Sequence, residues 1–217
     1  MSFKYTYAIT VCNEGEELNS LLSFITKEKL ESDEIVVLVD KPKLTDRVSE
    51  VLEMYKEHCK VHYADFHGEY NGDFSAWKNL LSSLCSGDYI VNLDADELPS
   101  EGLMDKLRQL QLYMDKDELP EVMIIPRANY VNGITMSHIS MWGWSMDAHG
   151  RINWPDFQMR VYKNTRKIQW NGVVHERIVG YLTFMKFESD EYIIHVKDLD
   201  RQILQNNRYE EYRGRFS

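Results

Sequence analysis

Apolar runs and amphipathic segments alternate through the first 113 residues of the chain. The apolar runs predict β-strands at residues 4–11, 34–39, 61–66 and 89–93. Segments with apolar side chains at every third or fourth position predict helices at residues 16–29, 46–59, 75–84 and 101–113. The second run, Glu-Ile-Val-Val-Leu-Val, is typical of a strand buried on both faces of a parallel sheet. The pattern predicts an α/β fold with a doubly wound, mostly parallel sheet flanked by helices.

The second half of the chain has a different pattern. It predicts strands at residues 121–126, 157–162, 168–178 and 192–196 and a polar helix over residues 199–213. Residues 127–156 are rich in Trp, Met, His, Gly and Asn and show no regular period, which predicts a long functional loop. We expect a single domain with two halves that share one sheet, residues 1–115 and a mixed lobe at 116–217. Such a domain can also be the N-terminal part of a longer protein.

Charge and cysteine content narrow the class of protein. A net charge of −10 over 217 residues argues against nucleic-acid binding and against tight binding to anionic lipid. The cysteines Cys12, Cys59 and Cys85 form no CxxC pair, which favours reduced thiols and a cytoplasmic location. No apolar stretch reaches the length of about 18 residues that a membrane span needs, so we expect no transmembrane segment. Peripheral membrane contact stays open.

Two carboxylates end the fourth predicted strand, in the run Tyr89-Ile-Val-Asn-Leu-Asp-Ala-Asp-Glu97. Asp94 and Asp96 are separated by one residue, so on a strand both side chains point to the same side. In open α/β sheets, ligands bind at the carboxyl ends of the strands. Two neighbouring carboxylates repel each other and favour a divalent cation, which keeps positions open for phosphate oxygens. The pair therefore predicts a metal site for a diphosphate.

Further polar residues are predicted at the same edge of the sheet. Asp40 follows the second strand, and Asp73 and Lys78 precede the fourth. A carboxylate accepts hydrogen bonds from a base or a ribose hydroxyl, and a lysine pairs with phosphate, so all three are candidates for nucleotide binding. Each is also typical of a helix cap or a surface group. The chain has neither the GxxxxGK[ST] phosphate loop nor a GxGxxG after the first strand, which disfavours dinucleotide binding.

Four segments together resemble a small GT-A glycosyltransferase of the family-2 type. They are Thr10-Val-Cys-Asn-Glu14, Glu34-Ile-Val-Val-Leu-Val-Asp40, Lys78-Asn79 and Asp88-Tyr-Ile-Val-Asn-Leu-Asp-Ala-Asp-Glu97. The resemblance covers residues 5–98 and continues more loosely through residues 158–160, 170–176 and 194–195, where it is similar to enzymes that add sugars to lipopolysaccharide cores. It implies transfer of a hexose from a nucleotide-diphosphate sugar, by default a UDP-sugar, to a hydroxyl group of a glycan acceptor.

The resemblance also implies roles for individual residues. In such enzymes the segment after strand one and the acid after strand two bind the base and ribose. The Asp-x-Asp motif holds Mn²⁺ or Mg²⁺ on the diphosphate, and a late histidine often completes the metal site. The implied nucleotide-sugar-binding residues are Thr10, Cys12, Asn13, Glu14, Asp40, Asp94, Ala95 and Asp96. Strand two departs from the family pattern, since Asp40-Lys41-Pro42-Lys43 replaces two acids and a Ser-rich turn, which leaves the nucleotide open.

Two histidines compete for the metal. His195 lies at the end of the last predicted strand, and Lys197 follows on the same side, an arrangement that suits a metal ligand beside a diphosphate contact. His175 lies in the aromatic segment Trp170-Asn-Gly-Val-Val-His-Glu176 and is expected to face the acceptor. For both, a structural role is the alternative. We favour His195 as the third metal ligand.

Two carboxylates are candidates for the catalytic base of an inverting reaction, in which a carboxylate accepts the proton of the acceptor hydroxyl. Asp156 precedes Phe157-Gln-Met-Arg160 at a position that resembles the acidic base position of the family. Glu176 is the second candidate. An inverting mechanism is favoured. The usual Glu-Asp pair of the family is Pro-Asp here, and this departure leaves a retaining mechanism open.

Tryptophans mark a candidate acceptor site. Trp142 and Trp144 lie in a Gly-interrupted run, Met141-Trp-Gly-Trp-Ser145, and flat apolar rings suit the C–H faces of sugars. We expect residues 127–156 to form an acceptor wall or a lid. A nucleotidyltransferase is a weaker alternative, because its Gly/Arg/Lys-rich loop after strand one is replaced here by an acidic segment. A non-catalytic sugar- or nucleotide-binding module is the third possibility.

Overall fold

A computed structural model describes residues 3–173 and 176–206. A large mixed β-sheet forms the centre of the fold. Its strands are β1 (Tyr5–Val11), β2 (Glu34–Asp40), β3 (Lys60–Ala64), β4 (Tyr89–Asp94), β5 (Glu97–Pro99), β6 (Val122–Asn132), β7 (Ile152–Lys163), β10 (Phe184–Lys186) and β11 (Ile193–Asp198). A separate hairpin contains β8 (Gln169–Asn171) and β9 (Arg177–Val179). The helices are α1 (Gly15–Glu28), α2 (Asp46–Met54), α3 (Phe74–Leu84), α4 (Glu101–Tyr113) and α5 (Met136–Trp142), and residues 199–206, here α6, are also helical.

The strand directions bring most carboxyl ends to one edge of the sheet. The order is β3-β2-β1-β4-β7-β6-β11-β5, with β10 beside β6. Strands β1 to β4 are parallel, whereas β7 is antiparallel to both β4 and β6. Because β7 lies between β4 and β6 and is antiparallel to both, β6 runs in the same direction as β4. Strand β11 is parallel to β6 and therefore also runs in this direction. The carboxyl ends of β1, β2, β4, β6 and β11 therefore share one edge, here the carboxyl edge.

Alternation along the strands divides the core into two layers. Tyr7 and Ile9 of β1 and Val91 of β4 pack with α1, α2 and α4 on one face. Ile90 of β4 packs with α3 and the β8–β9 hairpin on the other face. Asp94 follows the alternation of Ile90, which points its side chain toward the α3 face.

Helix α3 begins at a capping carboxylate. Asp73 Oδ1 accepts hydrogen bonds from the backbone N–H groups of Ser75 (2.8 Å) and Ala76 (3.1 Å). Such caps satisfy backbone donors that the first helical turn leaves unpaired. Asp73, a candidate nucleotide ligand in the sequence, caps its own helix through Oδ1. Its part in nucleotide binding stays a prediction.

The predicted loop at residues 127–156 is wrong. Strand β6 continues to Asn132, α5 occupies Met136–Trp142, and β7 begins at Ile152. Backbone pairing with β7 and β11 makes the second half of β6 a strand. The sequence pattern does not show this, because Arg127 and Asn129 stand where the strand period would have apolar side chains. The strand predicted at 168–178 is also wrong in extent, because it is the β8–β9 hairpin.

The remaining predictions differ mainly at element ends. Helix α2 stops at Met54, short of the predicted residue 59, and β3 covers Lys60–Ala64. The helix predicted over residues 199–213 is present to residue 206, and the remainder lies outside the described residues. Among the helices of the described residues, none has both the length and the apolar composition that crossing a membrane requires. The predicted α/β class with a mostly parallel central sheet is confirmed.

Candidate active site

Asp94 lies at the carboxyl end of β4 and is held by groups from two other strands. Its Oδ1 accepts a hydrogen bond from Thr10 Oγ1 (2.8 Å), and its Oδ2 accepts one from Arg160 Nη2 (3.1 Å). Burial raises the pKa of Asp94, but the charges of Arg160 and Lys78 and the bond from Thr10 outweigh it and hold that pKa well below its usual range. The lowered pKa keeps this carboxylate ionised at neutral pH. Its side chain is 37% exposed and therefore reachable from solvent.

Asp96 faces the histidine of β11. His195 Nε2 lies 3.5 Å from Asp96 Oδ2, and both side chains are largely buried. Burial raises the pKa of Asp96, but the contact with His195 and the charge of Lys197 together outweigh burial and the charge of Asp94, so the net shift is downward. Asp96 is therefore also ionised at neutral pH.

Asn129 orients the ring of His195. Its Nδ2 donates to Asp156 Oδ2 (2.9 Å), so its Oδ1 is the atom that faces His195 Nδ1 at 2.8 Å. Nδ1 therefore carries a proton and donates it, which is the common arrangement around metal-binding histidines. Nε2 then faces a carboxylate oxygen, and a proton or a cation between the two atoms relieves the repulsion of their lone pairs.

The side chains at this point fit a divalent cation. Two atoms that each bind Mg²⁺ at about 2.0–2.1 Å lie roughly 3–4 Å apart, and the Asp96–His195 separation of 3.5 Å falls in that interval. Within residues 3–173 and 176–206, no three His, Cys, Asp or Glu side chains converge on one point. Asp94 instead contacts Thr10 and Arg160. The arrangement offers Asp96 and His195 as direct ligands, with Asp94 as their neighbour.

Glu97 is a buried carboxylate that lies between two arginines and next to the acidic pair, Asp94 and Asp96. The Glu97 side chain is 0% exposed and contacts Arg160, and Arg127 Nη1 donates to its Oε1 at 2.8 Å. Its other oxygen accepts the backbone N–H of Asp94 (3.1 Å). Ion pairs that are buried this deeply need full hydrogen bonding to be tolerated. Arg160 also pairs with Asp94, so Glu97 and Asp94 share this guanidinium group.

Asp156 lies next to this cluster on β7. Its Oδ2 accepts hydrogen bonds from Arg127 Nε (3.0 Å) and Nη2 (2.8 Å) and from Asn129, and its Oδ1 accepts one from Gln158 (2.6 Å). Burial raises the pKa of Asp156, but Arg127 and the hydrogen bonds lower it more. The carboxylate is ionised and fixed in position, with its side chain 27% exposed.

Glu176, the second candidate base, pairs with Lys78. Lys78 Nζ donates to Glu176 Oε1 at 2.6 Å and lies 4.5 Å from the centre of the Trp170 ring. Asn79 holds Trp170 in place through two hydrogen bonds of 2.9 Å with its backbone. Lys78 is buried, and its charge helps to lower the pKa of Asp94. Its contact with a phosphate stays a prediction.

The nucleotide candidates lie at the ends of β1 and β2. Asp40 is buried; its Oδ1 accepts the backbone N–H of Phe66 (3.2 Å), and its Oδ2 lies 3.3 Å from Lys43 Nζ. Cys12 Sγ lies 3.7 Å from Asp40 Oδ2. Burial raises the pKa of the Cys12 thiol to about 11, so it is not a thiolate at neutral pH.

The loop after β1 is closed by Glu14. Its Oε2 accepts the backbone N–H groups of Cys12 (2.8 Å) and Asn13 (3.0 Å), and Asn13 is exposed at this loop. The Ala95 side chain points the other way, into the core with α1 and α4. Only the backbone of Ala95 is therefore oriented toward the carboxyl edge, where its N–H donates to Thr10 O (2.9 Å).

Helix α6 brings a further arginine to the acidic pair. Arg201 contacts Glu14, and its Nη1 lies 3.6 Å from Glu17 Oε1 and 3.8 Å from Asp96 Oδ2. Lys197 Nζ donates to Gln205 Oε1 of the same helix (2.8 Å). Burial lowers the pKa of Lys197, and the nearby Asp96 only partly opposes this.

The tryptophan pair lies beyond the carboxyl end of β6. The rings of Trp142 and Trp144 are 4.7 Å apart, and His138 stacks on Trp142 at 5.3 Å. Gly143, with φ +65°, ends α5 in the left-handed conformation and lets the two rings meet. Because β6 and β4 share the carboxyl edge, α5 stands at the same edge as Asp94. His175, the other predicted acceptor residue, lies outside the described residues.

The site thus contains residues that sequence reasoning missed. The structure brings Thr10, Asp94, Asp96, Asp156 and His195 together and joins them through Glu97, Asn129, Arg127, Arg160 and Arg201. Glu97 and Arg160 stand inside the segments that carry the family resemblance, a signal that could have drawn attention to them. Nothing in the local sequence marks Arg127, Asn129 or Arg201.

Comparison with protein families decides the classification. The model for "Glycosyl transferase family 2" matches residues 6–193. The chain belongs to glycosyltransferase family 2. A search of curated protein sequences found none that matches.

Solved structures place this family-2 chain in the GT-A fold. S. aureus TarS 1-349 in complex with UDP-GlcNAc aligns with a TM-score of 0.58 and 15% identity, over 91% of this chain and 59% of that one. The mannosyltransferase PcManGT from Pyrobaculum calidifontis in complex with GDP-Man and Mn²⁺ aligns with a TM-score of 0.51 and 13% identity, over 91% and 57%. This chain therefore spans less than two thirds of these proteins. At such identity the likeness concerns the fold, and it confirms the predicted GT-A architecture.

Proposed function

We propose that this family-2 chain transfers a hexose from a nucleotide-diphosphate sugar to a hydroxyl group of a glycan acceptor, with Mn²⁺ or Mg²⁺ at the carboxyl edge. The observation that carries the proposal is the pairing of Asp96 Oδ2 with His195 Nε2 at 3.5 Å, beside the ionised Asp94, at the end of β4. Two structural neighbours support this class of donor: TarS in complex with UDP-GlcNAc, and PcManGT in complex with GDP-Man and Mn²⁺.

The donor is assigned to residues 1–115 and the acceptor to residues 116–217. Asp40, Cys12 and the Glu14 loop lie at the ends of β1 and β2, where a base and ribose would find carboxylate and backbone partners. UDP is the default nucleotide. Trp142 and Trp144 are assigned to the acceptor, because α5 rises from the same edge of the sheet. The cytoplasmic location stays a prediction.

Asp96 and His195 would hold the cation, with Asp94 close enough to take part. When bound, the cation stabilises the negative charge that develops on the departing diphosphate. Arg160 and Thr10 fix the position of Asp94, and Asn129 fixes the His195 ring. These supporting contacts keep the acidic pair in place before the donor arrives.

We assign the catalytic base to Asp156 and an inverting course to the reaction. Asp156 is ionised, and Asn129 connects it to His195, so it lies within the same cluster as the proposed cation site. Its Oδ1, which accepts one hydrogen bond from Gln158, keeps a lone pair for an acceptor hydroxyl. Glu176 is the weaker candidate, because a buried lysine occupies its Oε1.

Titration calorimetry of UDP and GDP, with and without Mn²⁺, tests the donor site. We expect binding that requires Mn²⁺ and that Asp96→Asn abolishes, whereas Asp105→Asn, a change at an exposed acid of α4, has no effect. Slow hydrolysis of a panel of UDP-, GDP- and dTDP-sugars tests turnover. Metal-dependent nucleotide binding without hydrolysis of any donor would favour a non-catalytic module, and binding that ignores both Mn²⁺ and Asp96→Asn would refute the proposal.

A further inference from the structure

Arg201 occupies an unusual position at the mouth of the site. Its guanidinium group lies among three carboxylates from different parts of the chain, Glu14 after β1, Glu17 in α1 and Asp96 after β4. The side chain is 38% exposed, so it is reachable from the solvent side of the cleft. An arginine of this kind fastens α6 over the ends of β1 and β4.

The contact between Arg201 and Asp96 is one that a bound cation could replace. Nη1 lies 3.8 Å from Asp96 Oδ2, which is an ion pair beyond hydrogen-bond distance. The same Asp96 oxygen faces His195 Nε2, where the proposed cation would bind. A guanidinium and a divalent cation repel each other, so both cannot remain next to one carboxylate oxygen at full strength. Binding of the cation would therefore weaken the hold of Asp96 on Arg201.

Release from Asp96 leaves Arg201 close to the place of the diphosphate. The planar guanidinium fork matches the spacing of phosphate oxygens and binds them through two hydrogen bonds. Glu14 loses little if Arg201 turns away, because its other oxygen accepts the backbone N–H groups of Cys12 and Asn13. Gln205 contacts Lys197, so the same helix also touches the second cationic group at this edge.

We propose that Arg201 is an exchangeable counter-ion of the donor site: it pairs with Asp96, Glu14 and Glu17 before the cation enters, and then turns to bind the diphosphate of the nucleotide. The inference rests on the proposed function. It makes Arg201 a donor-binding residue and makes α6 a segment whose position depends on the occupancy of the site.

Two affinities that change in opposite directions test this role. In Arg201→Ala, Mn²⁺ alone should bind about two- to fivefold more tightly, since a competing ion pair of this exposure is removed. In the presence of saturating Mn²⁺, UDP (or GDP, if the wild-type chain prefers it) should bind about tenfold or more weakly, since charged hydrogen bonds are lost. The matching nucleoside should bind unchanged. Arg201→Lys keeps the positive charge but not the planar guanidinium fork. It should therefore bind Mn²⁺ with nearly the wild-type affinity and lose most of the diphosphate contact.

Calorimetry on the wild-type chain, both variants and the exposed control Arg166→Ala gives the answer. A structural tie alone predicts that Mn²⁺ binds Arg201→Ala no better than wild type, and that result would overturn the proposal. An equal loss for nucleotide and nucleoside would also overturn it. If the wild-type chain binds nucleotide without any dependence on Mn²⁺, the proposed function itself fails, and Arg201 is then not its counter-ion.

Discussion

Asn129 Oδ1 accepts a hydrogen bond from His195 Nδ1 at 2.8 Å and thereby turns the other ring nitrogen toward Asp96. The two residues are register partners on the parallel strands β6 and β11. The orientation of the histidine is therefore set by the sheet itself rather than by a loop. Sites on strands hold their geometry better than sites on loops.

Removal of this orienting bond should weaken metal binding. We expect Asn129→Ala to lower Mn²⁺ affinity about 10- to 100-fold, the usual effect of losing a partner of a metal-binding histidine. Asn132→Ala, on the same strand but at an exposed position, is the control. Calorimetry with Mn²⁺ in the presence of UDP measures the effect. Equal affinities for the two variants would show that Asn129 does not support the metal site.

Glu97 should contribute strongly to the stability of the fold. Glu97→Gln leaves Arg127 and Arg160 without their shared buried carboxylate. Breaking a buried ion pair by removing one partner costs about 3–5 kcal/mol, and we expect a loss of that order in the free energy of unfolding. Urea unfolding of the variant, with Glu101→Gln at an exposed position of α4 as the control, checks this. A loss below about 1 kcal/mol, the scale of an exposed ion pair, would contradict it.

Asp156→Asn should impair turnover without impairing donor binding. General base catalysis contributes about 10²- to 10⁴-fold to a rate, so we expect a fall of that order in the rate of donor hydrolysis or sugar transfer. The affinity for UDP and Mn²⁺ should stay close to that of the wild type. Glu176→Gln, a matched loss of one carboxylate charge, should have a smaller effect on the rate. If the Glu176 variant is the slower of the two, the base assignment must be exchanged.

Glu34 should make stability depend on pH. Burial raises the pKa of Glu34, but Lys60, Thr6 and Ser86 outweigh it and lower that pKa to about 2. Because the folded-state pKa lies below the ordinary value of 4.5, the stabilisation is present above pH 4.5 and is lost as the pH falls toward 2.

The matched variant for this effect is Glu34→Gln. We expect it to lower the free energy of unfolding by about 1.5–3 kcal/mol at pH 7, as for hydrogen bonds to a charged group, and by clearly less at pH 3. Urea unfolding at both pH values, with the exposed Glu31→Gln as control, measures the difference. A destabilisation that does not change with pH would show that the charge of Glu34 is not its cause.

Local sequence was sufficient for the parts of the fold that rest on local rules. The apolar run of β4 and the adjacent Asp94 and Asp96 could be placed at a strand end from their pattern alone. The same holds for α4, whose predicted and observed limits agree. The parallel arrangement followed from the alternation of strands and helices.

The rest of the site depends on contacts between distant parts of the chain. Arg127 meets Asp156 because β6 pairs with β7, and Arg201 meets Glu14 across 187 positions of sequence. No local period reports such pairings. Polar side chains also replaced apolar ones in β6 where the strand enters the site, so the residues that build the site are the ones that concealed the strand.

The central claim is that Asp96 and His195 hold a divalent cation at the carboxyl edge. A crystal structure of the chain with Mn²⁺ and UDP, with anomalous data collected for manganese, tests it most directly. We predict an anomalous peak within about 2.0–2.6 Å of Asp96 Oδ2 and His195 Nε2, in contact with the diphosphate. Bound UDP with no manganese between these two side chains would contradict the account.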